Sequence, residues 1–386
     1  MTNNSTQAFG SYEPDQHRLC YRPAIPPFPK IDDIWDMLDR AIRAVEAFDR
    51  ALEAFLVDGV VGKLFARLDA VHSSGAEGST TTFTDLMGFQ TALKRARDPE
   101  DARDVAAVAD AFDALATSGA TPTEIIHDIH RRLFQHARDP LVQSQAGRWK
   151  TYPNATYDED AGGPFFYCAP GSLNEVLAEW EAFTAAQDGK PELLRQALSH
   201  WMFEHIHPVP DGNGRVGRLL VPILMRQKGS LKNAASFLGE AVHLNKTLYV
   251  DALKGARRNG DFAPWCRVFC ALVTQTANAN LDRLDRLGLV HARWLSATKG
   301  IRAHSVVHDL VPWVLTKPSF TVRDALAFTG NKVSFQAMNT AIKRLEEIGI
   351  IRVAGMEANE RLFAAAEVMT LFEPITPVPL RAGLGN

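Results

Sequence analysis

The chain has 386 residues, of which 46% are hydrophobic and 23% charged, with a net charge of −3. That length exceeds one compact core and predicts two or three domains, while the near-neutral balance argues against a strongly basic nucleic-acid coat. No stretch approaches the roughly 20 apolar residues of a membrane span, the first ten residues are polar, and Cys20, Cys168, Cys266 and Cys270 form no paired framework, so a soluble, cytoplasmic protein with reduced core cysteines is expected.

Residues 1–30 become proline-punctuated at Pro23, Pro26, Pro27 and Pro29 and should run extended over the surface. Two helices follow, the first with its face set by Ile34, Leu38, Ile42 and Val45, the second by Leu56, Val60, Leu64, Leu68 and Val71. The second ends in Ser73-Ser74-Gly75-Ala76-Glu77-Gly78. With Gly78 just past the helix C-terminus, Glu77 meets the negative end of the helix dipole, a placement disfavoured by a few tenths of a kcal/mol. Either a partner cation offsets this, or Glu77 is a solvated loop glutamate.

Thr121-Pro122-Thr123-Glu124 is a capping box with proline at the first helical position, opening a helix through Ile125, Ile129, Leu133 and Phe134. After Gly147, the run Arg148 to Tyr152, a turn rich in Pro, Asn, Gly and Asp, and Phe165-Phe166-Tyr167 read as two short aromatic strands of a hairpin. Its aromatics would serve packing as readily as recognition.

The most informative stretch runs from His207 to Arg218. Leu194, Ala197, Leu198, Trp201, Met202 and Ile206 recur at helical spacing, so a buried helix should run into His207 and stop at Pro208. Asn213 is a good N-cap for a second helix, with Leu219, Leu220, Ile223 and Leu224 inward and a kink at Pro222. A loop opening into a helix N-terminus presents unpaired N–H groups, and glycines at 212 and 214 let an anion approach the backbone. Arg215 and Arg218, three apart, face the same loop and can grip phosphate bidentately. Asp211 is a hard oxygen ligand suited to Mg²⁺, and His207 can take a proton near neutral pH. His200, His205 and His207 also approach metal-ligand spacing. Histidines two apart on a helix point to different faces, however, and no further Cys or His lies at zinc-site spacing.

His207-Pro208-Val209-Pro210-Asp211-Gly212-Asn213-Gly214-Arg215-Val216-Gly217-Arg218 resembles the HxFx[DE]GNGRxxR motif of the Fic family, many of whose members move AMP from ATP onto a protein hydroxyl. It departs at Val209, where the family usually has Phe packed beneath the loop. The resemblance implies His207 as the base and Gly212, Asn213, Gly214, Arg215, Val216, Gly217 and Arg218 as ATP-binding, with Mg²⁺ on Asp211. It implies further that Asn245 and Tyr249, in the run from Asn245 to Leu253, line the nucleoside end. Ser73, Glu77 and Gly78 match the family's inhibitory [ST]xxxE[GN] motif, which implies that Glu77 occupies Arg218 and blocks productive placement of the outer phosphate. The hairpin is then the flap that docks the target's backbone.

Trp265, Val268, Phe269 and Leu272 close the core with an amphipathic helix. Beyond it, a helix with Val306, Leu310, Val311 and Val314 precedes helices over 321–328 and 333–347 and strands near 349–353 and 361–363, the order of a winged helix-turn-helix. Lys343 and Arg344 on its third helix are balanced by Glu346 and Glu347, so DNA binding stays open but is not favoured. The expected fold is mainly α: an N-terminal helical region over 1–118, a Fic-type core with a β-hairpin flap over 119–280, and a linker helix with the winged module over 281–386. The expected function is an autoinhibited protein adenylyltransferase using ATP and Mg²⁺ on a Ser, Thr or Tyr hydroxyl of a target or of itself. The alternatives are an ATP-binding winged-helix regulator without transfer activity, and a de-AMPylase using the same site. A homodimer stays open.

Overall fold

The structure, a computed structural model, describes residues 9–55, 61–91, 97–115, 118–160, 162–233, 237–357, 360–373 and 380. Leu56 and Val60, expected on the second helix, and the polar residues before Phe9 lie outside these.

The first correction comes at the start. Instead of running on extended, the chain forms a hairpin of β1 (Ser11–Asp15) and β2 (Arg18–Arg22), pairing Tyr12 with Tyr21. Its turn passes through Gln16 with a φ of 55° and holds no glycine, so the usual hairpin signal is missing. Helices α1 (Trp35–Ala54) and α2 (Val61–Gly75) follow, burying Leu38 and Val45 on the first and Leu64, Leu68 and Val71 on the second. Two helices with no counterpart in the sequence reading come next, α3 (Phe83–Thr91) and α4 (Pro99–Leu115). The capping box is formed as expected: Thr121 accepts from the Glu124 N–H, the Glu124 carboxylate accepts from the Thr121 N–H, and α5 (Pro122–Phe134) follows.

After α6 (Pro140–Ser144) the aromatic hairpin consists of β3 (Ala155–Asp158) and β4 (Gly163–Phe166). Its first strand thus lies past Arg148 to Tyr152, which forms no strand because that segment braces the loop described below. β2 pairs parallel with β4 at Cys20 and Phe166, giving a four-stranded sheet in the order β1-β2-β4-β3 with β3 at one edge.

The core continues with α7 (Leu173–Ala185), α8 (Glu192–Ile206), α9 (Asn213–Gln227), α10 (Gly239–Leu244), α11 (Lys246–Asn259) and α12 (Ala263–Thr298). α9 runs on through Pro222 as one element. The 36 residues of α12 extend about 54 Å at about 1.5 Å per residue. They cross residue 280, so the expected boundary there falls inside a helix shared by both parts of the chain.

The C-terminal part contains α13 (Val307–Thr316), β5 (Ser319–Thr321), α14 (Val322–Phe328), α15 (Phe335–Ile348), β6 (Arg352–Glu357), β7 (Glu360–Ala364) and α16 (Ala366–Leu371). β5, β7 and β6 form an antiparallel sheet in that order. This part packs back on the N-terminal helices. Phe372 stacks on Phe83 of α3 at 4.9 Å and meets Phe65 of α2 edge-on at 5.3 Å. The described residues are mainly α with two small sheets. Among the described residues no helix is long and apolar enough to cross a membrane.

Candidate active site

The site is built where α8 stops. Leu194, Ala197, Leu198, Trp201, Met202 and Ile206 are all buried, fixing α8 in the core. Pro208 has no N–H to continue the helix and disfavours helical backbone at the residue before it. His207 accordingly turns left-handed, with a φ of 51°, while its own N–H still reaches the Phe203 carbonyl at 2.9 Å.

α9 begins at Asn213, and its N-cap is Gly212, with a φ of 74° that favours glycine. This corrects the expectation that Asn213 caps the helix. Its side chain is instead spent on the loop: Oδ1 accepts from the Val209 N–H at 3.0 Å and Nδ2 donates to the Val209 carbonyl at 2.8 Å. Val209 itself is wholly buried.

In front of this loop lies a cavity of about 440 Å³, within the usual range for a ligand site. His207, Asp211, Gly212, Asn213, Gly214, Arg215, Arg218, Glu77 and Tyr249 all line it, although they come from three separate stretches of chain. Val216 and Gly217 do not. Val216 is buried on the core side, and Gly217 gives room to Glu204, since a Cβ there would collide with Glu204 Oε1 and the Phe203 ring. Asn245 also lies off the cavity. Its amide donates to the Ala241 carbonyl at 2.8 Å and Gln275 Oε1 at 2.9 Å, and its oxygen accepts from the Leu380 N–H at 2.8 Å.

Arg218 is 2% exposed, and three of its five donors engage the end of α2. Nε donates to Ser73 Oγ at 2.9 Å, and Nη2 donates to the Ser73 carbonyl at 2.9 Å and to Glu77 Oε1 at 2.7 Å. Gly78, with a φ of 100°, ends the helix as expected and turns Glu77 inward. Burial alone would raise the Glu77 carboxyl, but Arg218, with Lys246 and Arg215, outweighs it and holds the group below its ordinary value. Lys246 also donates through Nζ to the Ala76 carbonyl. Gly214 is required by this contact, because a Cβ there would collide with Glu77 Oε1 and Arg218.

His207 stacks on Tyr167 at 4.0 Å, and its Nδ1 donates to the Glu204 carbonyl at 3.1 Å. A carbonyl can only accept, so the proton sits on Nδ1 and Nε2 keeps its lone pair. Burial first, then Lys150, pushes His207 down to about 3, so the imidazole is neutral at physiological pH. Arg215 lies over the Phe134 ring at 5.3 Å and 3.9 Å from the Asp211 carboxylate, whose other oxygen accepts from the Gly212 N–H at 2.6 Å. Asp211 is exposed, an open oxygen donor of the kind that magnesium shares with phosphate oxygens and water. Of the other two histidines near metal-ligand spacing, His205 also lines the cavity and His200 does not. His205 Nδ1 donates to the Trp201 carbonyl at 2.8 Å, and His200 joins the Gly217 carbonyl at 3.1 Å to the Tyr249 hydroxyl at 2.7 Å.

Several residues at the site were not read from the sequence. Glu204 lines the cavity, with burial raising its carboxyl to about 7. A carboxylate one turn before His207, beside the buried Met202 and Phe203, was the available signal. Lys150 and Asn154, which hold the loop from behind, carried none.

Residues 120–225 match the model of the Fic/DOC family. The protein adenylyltransferase Fic of Nematostella vectensis is 30% identical over 172 residues, covering 44% of this chain and 36% of that protein. The protein adenylyltransferase Fic of Culex quinquefasciatus is 24% identical over 251 residues, covering 62% of this chain and 45% of that one. The chain thus spans less than half the length of these relatives. Among solved structures, a Fic family protein from Desulfovibrio desulfuricans G20 is similar with a TM-score of 0.56 at 15% identity, covering 88% of this chain and 98% of that chain. Fic-1 from C. elegans is similar with a TM-score of 0.50 at 19% identity, covering 66% of this chain and 73% of that chain. These two likenesses bear on the fold.

Proposed function

Because the chain carries a Fic/DOC domain over residues 120–225, we propose that it is a protein adenylyltransferase restrained by its own Glu77. The observation that carries this reading is the capture of Arg218 by Ser73 and Glu77 in the cavity that His207 lines. A Ser, Thr or Tyr hydroxyl of a target gives its proton to His207 Nε2 while its oxygen attacks the α-phosphorus of ATP. A phosphodiester to AMP forms, the bond to the β-phosphate oxygen breaks, and pyrophosphate leaves. Arg215 and Arg218 suit the outer phosphates, and the start of α9, opened by Gly212 and Gly214, suits a phosphate oxygen. Magnesium, held through Asp211, would neutralise phosphate charge. The position of β3 at the edge of its sheet suits backbone pairing with a target strand.

While Glu77 holds Arg218, that guanidinium is not free for phosphate, so the resting state is inhibited. The same carboxylate is anionic at neutral pH and lines the cavity, which supports a second reading in which it orients water and AMP is removed from a modified protein. Four cysteines that are buried and form no disulfide suit the cytoplasm. The helices and three-stranded sheet after α12 have the order of a winged helix-turn-helix. On α15, Arg344 pairs with Glu347 at 3.1 Å, so its charge does not favour DNA.

The test is intact mass spectrometry of wild type, Glu77→Gly and Glu77→Gly/His207→Ala, each incubated with Mg²⁺ and ATP. Glu77→Gly alone should gain mass in steps of one AMP. Equal behaviour of wild type and Glu77→Gly would remove the inhibitory role of Glu77, and persistence of transfer in the double variant would remove His207 as the base.

A further inference from the structure

The loop that carries His207 contains two prolines, at 208 and 210, and so lacks two of the N–H groups by which a loop is ordinarily held. Asn213 accepts from the N–H between them, that of Val209, and gives one bond back to the Val209 carbonyl, so the remaining bonds must reach the loop's carbonyls from donors outside it. The donors come from the segment just before the flap. The backbone N–H of Lys150 donates to the Pro208 carbonyl at 3.0 Å and its Nζ donates to the Ile206 carbonyl at 3.0 Å. One residue therefore grips the carbonyls on both sides of His207. Asn154 Nδ2 donates to the Val209 carbonyl at 2.9 Å and the Pro210 carbonyl at 3.0 Å.

Lys150 is 2% exposed and does not line the cavity. A buried ammonium is costly, and neither a phosphate nor a target in the cavity would reach it directly. His207 is meanwhile in left-handed backbone, which a side chain disfavours and which persists only where the surroundings impose it. We propose that Lys150 and Asn154 are positioning residues that impose this geometry, clamping the carbonyls of residues 206, 208, 209 and 210 so that His207 Nε2 faces the cavity.

The proposal rests on His207 being the base, and its test separates the two. The charged groups that bear on His207 are Lys150 from behind and Glu77 from α2, with neutral His205 on α8 and with Arg215 and Arg218 on the cavity wall. Lys150→Met, Lys150→Arg and Asn154→Ala would be made in the full chain carrying Glu77→Gly. AMP transfer and the His207 imidazole resonance, identified by its loss in His207→Ala, would be followed against pH. Lys150→Met should lower kcat by about ten- to a hundredfold with KM for ATP within about twofold, and should move the imidazole titration upward. Lys150→Arg should recover part of kcat. Asn154→Ala should lower kcat without moving the titration, and it carries the test if Lys150→Met does not fold.

Folded Lys150→Met with unchanged kcat and an unmoved resonance overturns the proposal, as does Asn154→Ala with unchanged kcat. If the Glu77→Gly reference itself transfers no AMP, the base reading fails, and the position and titration of the imidazole resonance decide alone whether Lys150 sets the geometry.

Discussion

At the scale of single residues, charge and backbone conformation decide the site together. Glu77 is tolerated at a helix C-terminus only because Arg218 is there to meet it, and Arg218 is tolerated in the core only because Ser73 and Glu77 use its donors. The pair makes a prediction about acid. The Glu77 carboxyl is held below its ordinary value of 4.5, so its contribution is fully present above 4.5 and is lost as pH falls through the depressed value. In Glu77→Gln that contribution is absent at every pH. The gap in melting temperature between wild type and Glu77→Gln should be constant above 4.5 and close below it, and a gap that persists unchanged in acid would remove the ion pair as its source. The oddness of Glu77 was legible in the sequence, because a carboxylate at a helix end violates a local rule. Lys150 and Asn154 violate none, and their partners lie some 55 residues away at Ile206, Val209 and Pro210. No periodicity reports a contact of that kind.

At the scale of elements, what the sequence announces is what is locally determined. The capping box before α5 is visible as four letters and is formed with both of its reciprocal bonds. Thr121→Ala should therefore cost about 1 kcal/mol, read from urea unfolding. Thr121→Asp, which keeps an acceptor, should cost less, and equal losses would mean that the cap contributes nothing. The stops at Pro208 and Gly78 are legible for the same reason. α4 follows the same rule, since it buries Val105, Val108, Phe112 and Leu115 at helical spacing beside Ala102, Ala106, Ala109 and Ala111, so its stripe is present in the sequence although the alanines dilute it. The β1–β2 hairpin is hidden because its turn lacks glycine, and its use depends on β4, more than 140 residues later. The aromatic hairpin was recognised but its first strand was placed too early, since Trp149 and Tyr152 have strand composition while Lys150 has a different task. Asn213 has the chemistry of a cap and serves the loop instead, where the buried Val209 peptide needs both a donor and an acceptor.

At the scale of the whole molecule, burial has collected titratable groups that the unfolded chain would leave in water. His72 and His130 are pushed down to about 4, and His200, His205 and His207 to about 3, in each case first by burial. The geometry agrees. His130 Nδ1 accepts from the Gly147 N–H at 2.9 Å and so carries no proton, and His200 bonds a carbonyl with one nitrogen and a hydroxyl with the other. The ordinary value is 6.5 for each, so between 6.5 and these depressed values the unfolded chain binds protons that the folded chain refuses. Stability is thus fully expressed above 6.5 and declines as pH falls towards 4. Glu204 opposes this: raised to about 7 by burial, it favours the folded state below its ordinary 4.5, and that contribution is lost as pH rises through 7. Asp104, raised to about 6, and Asp110, also raised, act with Glu204, again first through burial, while His243 and His291 are lowered and act with the other five histidines, so seven groups against three leave the histidines setting the sign. The urea midpoint should fall steadily from pH 6.5 to 4.5, and calorimetric unfolding at pH 5.5 in buffers of different ionisation enthalpy should report proton uptake. A flat midpoint over that interval, or unfolding with no net uptake, would mean that these side chains already exchange protons with solvent in the folded protein. His207 would then no longer be held as a neutral base by its surroundings.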